Sequence, residues 1–276
     1  MIDTSAAMGS RDGWRPRLKG AARLLRAAPV AAVARLRAPT ARPPRFAGAY
    51  DSREQAVAAA ARLGDVGYDH EALADVSFAR MCRTAAWDYP VLFWLDRWLP
   101  ESRSLLDAGG HMGTKFIAFS RFLDLSRTDW TVYDLPAIIR TARARQKAGE
   151  LPAEIGFIDR LNAVETPDIL LGSGLLQYLD VPFAELIAQF PRPPRFILLN
   201  KVAVREGPTL FTLERIGTAR VPYRIRNRHE WLNDISVLGY EIADSWAIPE
   251  LAHVIPTHPW QGQSQSCGYA LRWAEG

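Results

Sequence analysis

The chain has 276 residues, of which 48% are hydrophobic, so it is long enough to bury one large α/β core together with a helical addition. Its two cysteines, Cys82 and Cys267, exclude a disulfide framework and a cysteine-based metal cluster, and they favour a reducing, cytoplasmic setting. The formal net charge of +4 is mild and much of it comes from residues 1–45, so the composition does not require a nucleic acid partner.

The first 45 residues differ in composition from the rest of the chain. From Trp14 to Arg45 the sequence is rich in arginine, alanine and proline, and leucines and valines alternate with basic residues. This pattern predicts a basic amphipathic segment, broken at Pro29, that is suited to peripheral contact with an anionic membrane surface. A disordered or loosely docked basic tail is the alternative. No apolar run approaches the roughly 18 residues needed to span a bilayer.

Residues 46–101 are expected to form a helical extension over the substrate side of the following domain. Ser52 and Gln55 form a capping-box pattern for a helix that ends near Leu63, and a second helix is expected over 68–86. A third helix carries aromatic side chains that either line an acceptor pocket or pack in the core. They are Trp87, Tyr89, Phe93, Trp94 and Trp98.

The run 104–116 is an apolar strand that ends in Asp107, turns through Gly109, Gly110 and Gly113, and enters a helix. Glycines at such a turn let a ligand approach the backbone and let the helix pack closely on the strand. A phosphate-binding loop would need Gly-Lys-Ser/Thr at the helix start, and a dinucleotide site would need Gly-x-Gly-x-x-Gly. An acid before the first glycine would repel a pyrophosphate but suits an ammonium group. The turn therefore favours an adenosine-containing cofactor with an amino group and no phosphate.

Strands and helices alternate after residue 102, which is typical of a mostly parallel sheet with helical crossovers. Strands are expected near 103–108, 130–134, 154–158, 168–172 and 195–201, with helices that start at Thr114, Pro136 and Val181. Because the carboxyl ends of parallel strands meet at one edge, we expect one ligand-binding rim there. Its members are Gly109, Asp134, Asp159, Ser173 and Asn200.

The glycine turn and the segment after the second strand resemble motifs of a known protein family. Asp107-Ala108-Gly109-Gly110-His111-Met112-Gly113 and Tyr133-Asp134-Leu135-Pro136 are similar to the two cofactor motifs of class I S-adenosylmethionine-dependent methyltransferases, above all the O-methyltransferases of small hydroxylated molecules, with His111 in place of a glycine. The resemblance implies an α/β, Rossmann-like sheet of seven mostly parallel strands over 102–276, completed near 239–245 and by an antiparallel strand near 267–273.

The same resemblance implies S-adenosylmethionine as the cofactor. In this family the acid of the second motif holds the ribose hydroxyls, and an acid in the place of Asp159 lies near the adenine amine. The cofactor-binding residues that it implies are Asp107, Gly109, Gly110, Gly113, Asp134, Leu135, Asp159 and Ser173.

One position departs from the family pattern and leaves the general base open. Plant-type O-methyltransferases have a histidine base where this chain has Gln177, and glutamine cannot take a proton near neutral pH. The candidate catalytic residues are His111 in the glycine turn, Tyr178, and His258 between the last two strands; packing at the helix start is the alternative for His111. His229 follows a predicted capping position, where capping or exposure is the better interpretation.

A second resemblance extends over nearly the whole chain. Short runs such as Phe46–Tyr50, Gly67–Asp69, Pro222–Ile225 and Leu238–Glu241 are similar to an uncharacterised bacterial family of methyltransferase-like proteins. Members of that family are commonly associated with surface-polysaccharide gene clusters, which implies a sugar or glycan-precursor acceptor.

A cluster of arginines follows the fifth strand of the sheet. Guanidinium groups suit a phosphate, uronate or nucleotide-sugar acceptor, whereas arginines on a surface hairpin are usually only solvated. The five arginines between Gly207 and Arg228 are Arg215, Arg220, Arg224, Arg226 and Arg228.

These observations favour a cytoplasmic S-adenosylmethionine-dependent methyltransferase that modifies an oxygen of a sugar, a glycan precursor or another small polar metabolite. Two other functions stay open. Gln177 and His111 allow a catalytically silent methyltransferase-like scaffold in polysaccharide assembly, and a similar sheet could serve an enzyme that binds NAD or a nucleotide sugar. The expected partners are the acceptor and, through residues 14–45, a membrane surface.

Overall fold

A computed structural model of the protein describes residues 27–40, 42–63, 78–161 and 164–274. Its α-helices are α1 (27–37), α2 (Arg53–Arg62), α3 (Phe78–Met81), α4 (Tyr89–Trp98), α5 (Thr114–Phe119), α6 (Pro136–Lys147), α7 (Phe183–Ile187) and α8 (Arg228–Val237). Its strands are β1 (Phe46–Tyr50), β2 (Ser104–Ala108), β3 (Asp129–Tyr133), β4 (Gly156–Ile158), β5 (Ile169–Ser173), β6 (Phe196–Arg205), β7 (Leu210–Ile216), β8 (Ala219–Asn227), β9 (Tyr240–Ala247), β10 (His253–Val254) and β11 (Gln263–Trp273).

Seven of the strands form the sheet that the sequence predicts. Their order is β4-β3-β2-β5-β6-β11-β9, in which β2 to β6 pair in parallel and β11 runs antiparallel to both β6 and β9. The α/β class, the mostly parallel sheet and the antiparallel last strand are therefore confirmed. The strand order reverses at β2, which lies between β3 and β5.

The full sheet has 11 strands, so the count of seven is too low. β7 and β8 form a hairpin, β1 pairs antiparallel with β7, and the end of β8 pairs in parallel with the end of β6. The arginine-rich stretch is thus part of the sheet and not a free surface hairpin. The additional strands were missed because they pair with partners that are distant in the sequence.

The predicted helical extension begins with a strand. Phe46 is 5% exposed and packs on Tyr223 of β8, while Arg45 next to it forms an ion pair with Glu214 of β7. These contacts with the hairpin hold β1 in an extended conformation, and the helical prediction is wrong for this stretch. The helix after it is confirmed, because the Ser52 side chain accepts a hydrogen bond from the Gln55 N–H at the start of α2.

The rest of the extension packs on the sheet. The predicted helix over 68–86 lies largely outside the described residues, which show helix α3 and a 3-10 turn at Ala86–Asp88. The aromatic side chains of α4 differ in exposure. Trp98 is buried and stacks on Phe196 of β6 with ring centroids 4.4 Å apart, whereas Tyr89 and Phe93 are exposed. The core interpretation therefore holds for Trp98.

The N-terminal segment is described from residue 27. Pro29 is the third described residue of α1, and the predicted break of the longer segment at Pro29 stays a prediction. Ala31 and Ala34 of the same helix are buried and stabilise it by packing. Val30, Val33 and Leu36 are exposed, and membrane contact stays a prediction. Among the residues that the structure describes, none of the helices is both long and apolar enough to cross a bilayer.

Apolar side chains cover both faces of the central sheet. β5 and β6 read as nearly continuous apolar runs, as expected for parallel strands that are buried on both sides. On one face α4, α5 and α6 pack over residues such as Leu105 and Ile169. On the other face α7 and α8 pack over Leu170 and Ile197. The carboxyl edge of the parallel strands is left for polar residues.

Candidate functional site

The predicted rim residues Asp134, Asp159, Ser173 and Asn200 lie on neighbouring strands of the sheet, and Asp107 lies beside them just before the predicted member Gly109. Asp107 lies on β2, Asp134 directly follows β3, Asp159 follows β4, Ser173 ends β5 and Asn200 lies in β6. Parallel register places these positions side by side: Ser173 pairs with Asn200, and Asp107 lies opposite Val132 of β3. The rim is centred on the point where the strand order reverses, which is where open α/β sheets bind ligands.

The turn after β2 depends on its glycines. Gly109 and Gly113 have φ of +71° and +77°, which other residues adopt at a cost, and a Cβ on Gly113 would lie 2.5 Å from Ile155 Cδ1. A Cβ on Gly110 would lie 2.5 Å from Asp107 Cγ. Gly110 therefore provides the room that the Asp107 carboxyl group occupies beneath the turn.

Asp134 holds the turn against the next strand. Its Oδ2 accepts a hydrogen bond of 2.8 Å from the His111 backbone N–H, and its Oδ1 accepts one of 2.7 Å from the Leu135 N–H. Gly109 adds a third link, because its N–H donates to the Tyr133 carbonyl at 2.8 Å. A carboxylate has about four acceptor positions, so Asp134 retains the capacity to accept ligand hydroxyls.

Asp107 is the least satisfied polar group of the rim. It is 1% exposed, and within the described chain neither carboxylate oxygen has a hydrogen-bond partner of good geometry, although the Trp130 indole faces it. Burial, reinforced by the charge of Asp134 and opposed by Lys115, raises the pKa of Asp107 to about 7. A cationic ligand group at this position would supply the missing counter-charge.

Three other predicted rim residues have simpler surroundings. Ser173 has a buried hydroxyl that lacks a hydrogen-bond partner in the described part of the chain. Asp159 is partly exposed one residue beyond β4, and Leu135 is 37% exposed. The side chains of Asp159 and Leu135 are thus accessible to a ligand on the open side of the rim.

A buried charged cluster next to the rim was missed by the sequence analysis. Lys115 of α5 and Asp88 form an ion pair of 2.7 Å, and Asp88 also lies 3.4 Å from the Asn200 amide nitrogen. Lys201, the residue after Asn200, has φ of +64°. Burial, reinforced by Lys115, lowers the pKa of Lys201 to about 8. The signal was available, since both lysines interrupt apolar runs in a buried strand and a buried helix.

Gln177 occupies a structural position beside Lys201. It is 5% exposed, and its Nε2 donates a hydrogen bond of 2.9 Å to the Lys201 carbonyl. The Gln177 side chain thus fixes the backbone at the unusual φ of Lys201. Gln177 itself cannot accept a proton near neutral pH, because its side chain is an amide.

The candidate bases are not brought together. His111 lies in the turn, is 7% exposed and stacks on Phe78, so both the rim and the packing interpretations fit it. Tyr178 donates a hydrogen bond of 2.5 Å to Glu214 of the hairpin. His258 bonds to Thr257 at 2.9 Å, and burial lowers its pKa. The contacts of Tyr178 and His258 are with the hairpin side of the molecule and do not support a role at the rim.

The remaining predictions concern α8 and the hairpin. His229 is exposed, and the Asn227 side chain caps α8, in agreement with the capping interpretation. The arginines do not form one acceptor surface: Arg226 is buried and donates to the Leu176 carbonyl at 2.7 Å, and Arg228 pairs with Glu206. Arg215 and Arg220 line one cavity and Arg224 and Arg226 line another, at different points along the same hairpin. Binding of an acceptor by these arginines stays a prediction.

No protein-family model and no curated protein matches the chain. Among solved structures, it is similar to a 1,6-didemethyltoxoflavin-N1-methyltransferase of Burkholderia thailandensis with bound 1,6-didemethyltoxoflavin and S-adenosylhomocysteine, at 19% identity and a TM-score of 0.45 over 68% of this chain and 79% of that one. It is also similar to an O-methyltransferase from a trans-AT PKS multienzyme of Brevibacillus brevis in complex with S-adenosyl-L-homocysteine, at 12% identity and a TM-score of 0.49 over 67% and 71% of the two chains. Such distant similarity says nothing about the substrate of this chain.

Proposed function

We propose that the protein is an S-adenosylmethionine-dependent methyltransferase that acts on a hydroxyl oxygen of a small polar acceptor, such as a sugar or a glycan precursor. One observation carries the proposal: the carboxyl group of Asp107 is buried under a glycine turn at the switch point of the sheet, with no partner of good geometry in the described chain. A carboxylate in that position favours a ligand with a cationic group and disfavours a pyrophosphate.

The residues of the rim fit the proposed cofactor. Asp107 would bind its ammonium group, and Asp134, whose two oxygens each accept a backbone hydrogen bond and have further acceptor capacity, would accept the ribose hydroxyls. Gly109 and Gly110 permit close approach of the backbone to the ligand. When bound, the cofactor supplies an electrophilic methyl group.

Lys201 is the general base in this proposal. An acceptor hydroxyl must lose its proton as the oxygen attacks, and the neutral amine of Lys201 can take that proton. Its pKa of about 8 leaves a useful neutral fraction near neutral pH, which an exposed lysine would lack. The Gln177 hydrogen bond to its carbonyl fixes the backbone from which the side chain extends. The protein's contribution is thus to orient the acceptor and to remove one proton.

The acceptor class has weaker support than the cofactor. The sequence resemblance to one bacterial family that is associated with surface-polysaccharide gene clusters is the reason for choosing a sugar hydroxyl. The buried polar residues Asp88 and Asn200, next to Lys201, support a polar acceptor over an apolar one. If the methyl group went to a nitrogen, the acceptor amine itself would have to be neutral, and no base would be needed to remove a hydroxyl proton. The pH profile of a working assay distinguishes the two cases.

The first experiment is calorimetric titration with S-adenosylmethionine and S-adenosylhomocysteine. We expect both to bind, and we expect Asp134→Ala to lose binding because two backbone links and the ribose contacts disappear together. Asp96→Ala, at an exposed position in α4, is the matched control and should bind as the wild type does. Absence of binding by the wild type, or binding of NAD or a nucleotide sugar in its place, would refute the cofactor assignment.

The second experiment tests the base with a transfer assay on a panel of sugars. Lys201→Gln should lower kcat by about 10²- to 10⁴-fold, while its affinity for S-adenosylhomocysteine stays within about twofold. Wild-type activity should rise with pH up to about 8, where the Lys201 amine becomes neutral. Cofactor binding without transfer to any sugar would favour the silent scaffold, and an unchanged kcat in Lys201→Gln would exclude Lys201 as the base.

A further inference from the structure

A cavity lies on the side of the molecule that the β7–β8 hairpin forms, and none of its lining residues belongs to the rim. It has a volume of about 190 Å³. Its walls come from α1, β1, the end of the β7–β8 hairpin and the segment before the 3-10 turn at Pro259–Gln261. Polar or basic side chains that line it are Arg35, Tyr50, Arg215, Arg220, Thr257 and His258.

Two of the arginines are forced together by the register of the hairpin. Arg215 and Arg220 are directly opposite each other in the antiparallel β7–β8 pair, an arrangement that destabilises a hairpin when the charges are alike. Arg220 is only 8% exposed, and its Nη1 is buried without a hydrogen-bond partner. Within the described residues neither arginine forms an ion pair with a carboxylate.

Glu214, the acidic residue next to Arg215 in the hairpin, already has two hydrogen-bond partners of its own. Glu214 accepts hydrogen bonds from Arg45 and from the Tyr178 hydroxyl, and it does not line the cavity. The described lining of the cavity contains no carboxylate at all. The positive charges of Arg215 and Arg220 are therefore not neutralised by the described chain.

Arg35 completes the basic wall from the opposite side. Its Nε donates a hydrogen bond of 3.1 Å to the Thr257 carbonyl, and its guanidinium group stacks over the Trp260 ring at 4.7 Å. These contacts fix the plane of the guanidinium group and leave its terminal nitrogens as donors. Burial and the charge of Arg35 lower the pKa of His258, so His258 is neutral near pH 7 and adds a polar group without repelling the arginines.

We propose that this cavity binds the phosphate group of a small phosphorylated molecule. Three guanidinium groups that converge on about 190 Å³ provide the charge and the donor geometry for a tetrahedral dianion. Bound phosphate would supply the partner that Arg220 Nη1 lacks and would offset the repulsion between Arg220 and Arg215. The site is independent of the proposed cofactor site, and its occupant need not be the methyl acceptor.

The test uses inorganic phosphate and the full chain without cofactor. Calorimetric titration at constant ionic strength, set with sodium chloride, should show saturable binding by the wild type. Arg220→Gln should weaken it by about tenfold or more, since one charge-assisted hydrogen-bonding group is lost. Arg272→Gln, which removes an exposed arginine paired with Glu241, is the matched control and should bind as the wild type does.

A second variant and a second ligand complete the test. If Arg220→Gln fails to fold, as judged by thermal unfolding, Arg215→Gln at an exposed position gives the same comparison and should also weaken phosphate binding. Acetate replaces phosphate in a parallel titration, and equal affinity for acetate would overturn the assignment to phosphate. Equal phosphate affinity of the wild type and both arginine variants would refute the proposal that phosphate binds in this cavity. A heat of titration that depends only on the ionic strength and does not saturate with phosphate would refute it as well.

Discussion

Replacing Asp107 by asparagine tests whether this carboxyl group is buried without adequate compensation. Burial raises the pKa of Asp107 from its ordinary 3.8 to about 7 in the folded protein. Between about pH 4 and pH 7 the folded protein therefore keeps a proton that the unfolded chain releases. The unfolded state binds fewer protons, so the contribution of Asp107 to the free energy of unfolding falls as the pH rises.

The size of the effect follows from the same pKa shift. Each pH unit within this window costs the wild type about 1.4 kcal/mol at Asp107, so roughly 2 to 3 kcal/mol is lost between pH 5 and pH 7. The amide introduced by Asp107→Asn does not gain or lose a proton in this pH range, and its own packing cost is the same at every pH. The free energy of unfolding of the variant should therefore rise relative to that of the wild type as the pH increases.

Urea denaturation followed by tryptophan fluorescence measures this difference at several pH values from 5 to 7.5. Only the slope of the difference against pH is interpreted, because a constant offset reflects the size and polarity of the amide. Asp96→Asn, at an exposed position in α4, is the control and should give a slope near zero. Parallel stability curves for the wild type and Asp107→Asn would show that Asp107 is solvated or paired in the folded protein, and would remove the main support for the cofactor proposal.

Two stability predictions accompany those already stated for Lys201 and Arg220. Gly113→Ala should lower the free energy of unfolding by about 1–3 kcal/mol, because the φ of +77° strains a residue with a Cβ and Ile155 blocks the space; a urea midpoint equal to that of the wild type would contradict the turn geometry. Lys115→Met should cost about 3–5 kcal/mol in the same assay, because Asp88 would stay buried without its cation. Adding Asp88→Asn to Lys115→Met should recover part of that loss, and a double variant no more stable than the single one would argue against the ion pair.

The central sheet could be predicted because its signals are local. Buried parallel strands are continuous apolar runs, and the glycine turn and the acids that follow each strand are read from neighbouring residues. The sequence alone therefore placed Asp134 correctly after its strand and Asp107 correctly near the end of the strand before the glycine turn. The glycine-permitted turn was also assigned correctly, since Gly109 and Gly113 adopt positive φ.

The charged cluster and the hairpin could not be predicted in the same way. Asp88 and Lys115 are 27 positions apart in the sequence, and β1 and β7 are joined by contacts such as Arg45 with Glu214, 169 positions apart. Such pairings are decided by tertiary packing and leave no periodic signal in either segment. Lys115 and Lys201 were the visible clues, as charged residues within the apolar runs of α5 and β6.

Strand β1 has a further consequence for the edges of the sheet, because an uncovered edge can pair with a strand of another molecule. In the strand order β1-β7-β8-β6-β5-β2-β3-β4, the two ends are β1 and the three-residue β4, and the eight-residue β9 is a further edge strand because it pairs only with β11. Short or irregular terminal strands are poor templates for further strand addition, and β1 adds a register shift between Ala47 and Tyr50. A fragment that started after Tyr50 would uncover the seven residues of β7, including Leu213, as an open apolar edge. The N-terminal strand thus covers the β7 edge of the sheet and also forms a wall of the phosphate cavity.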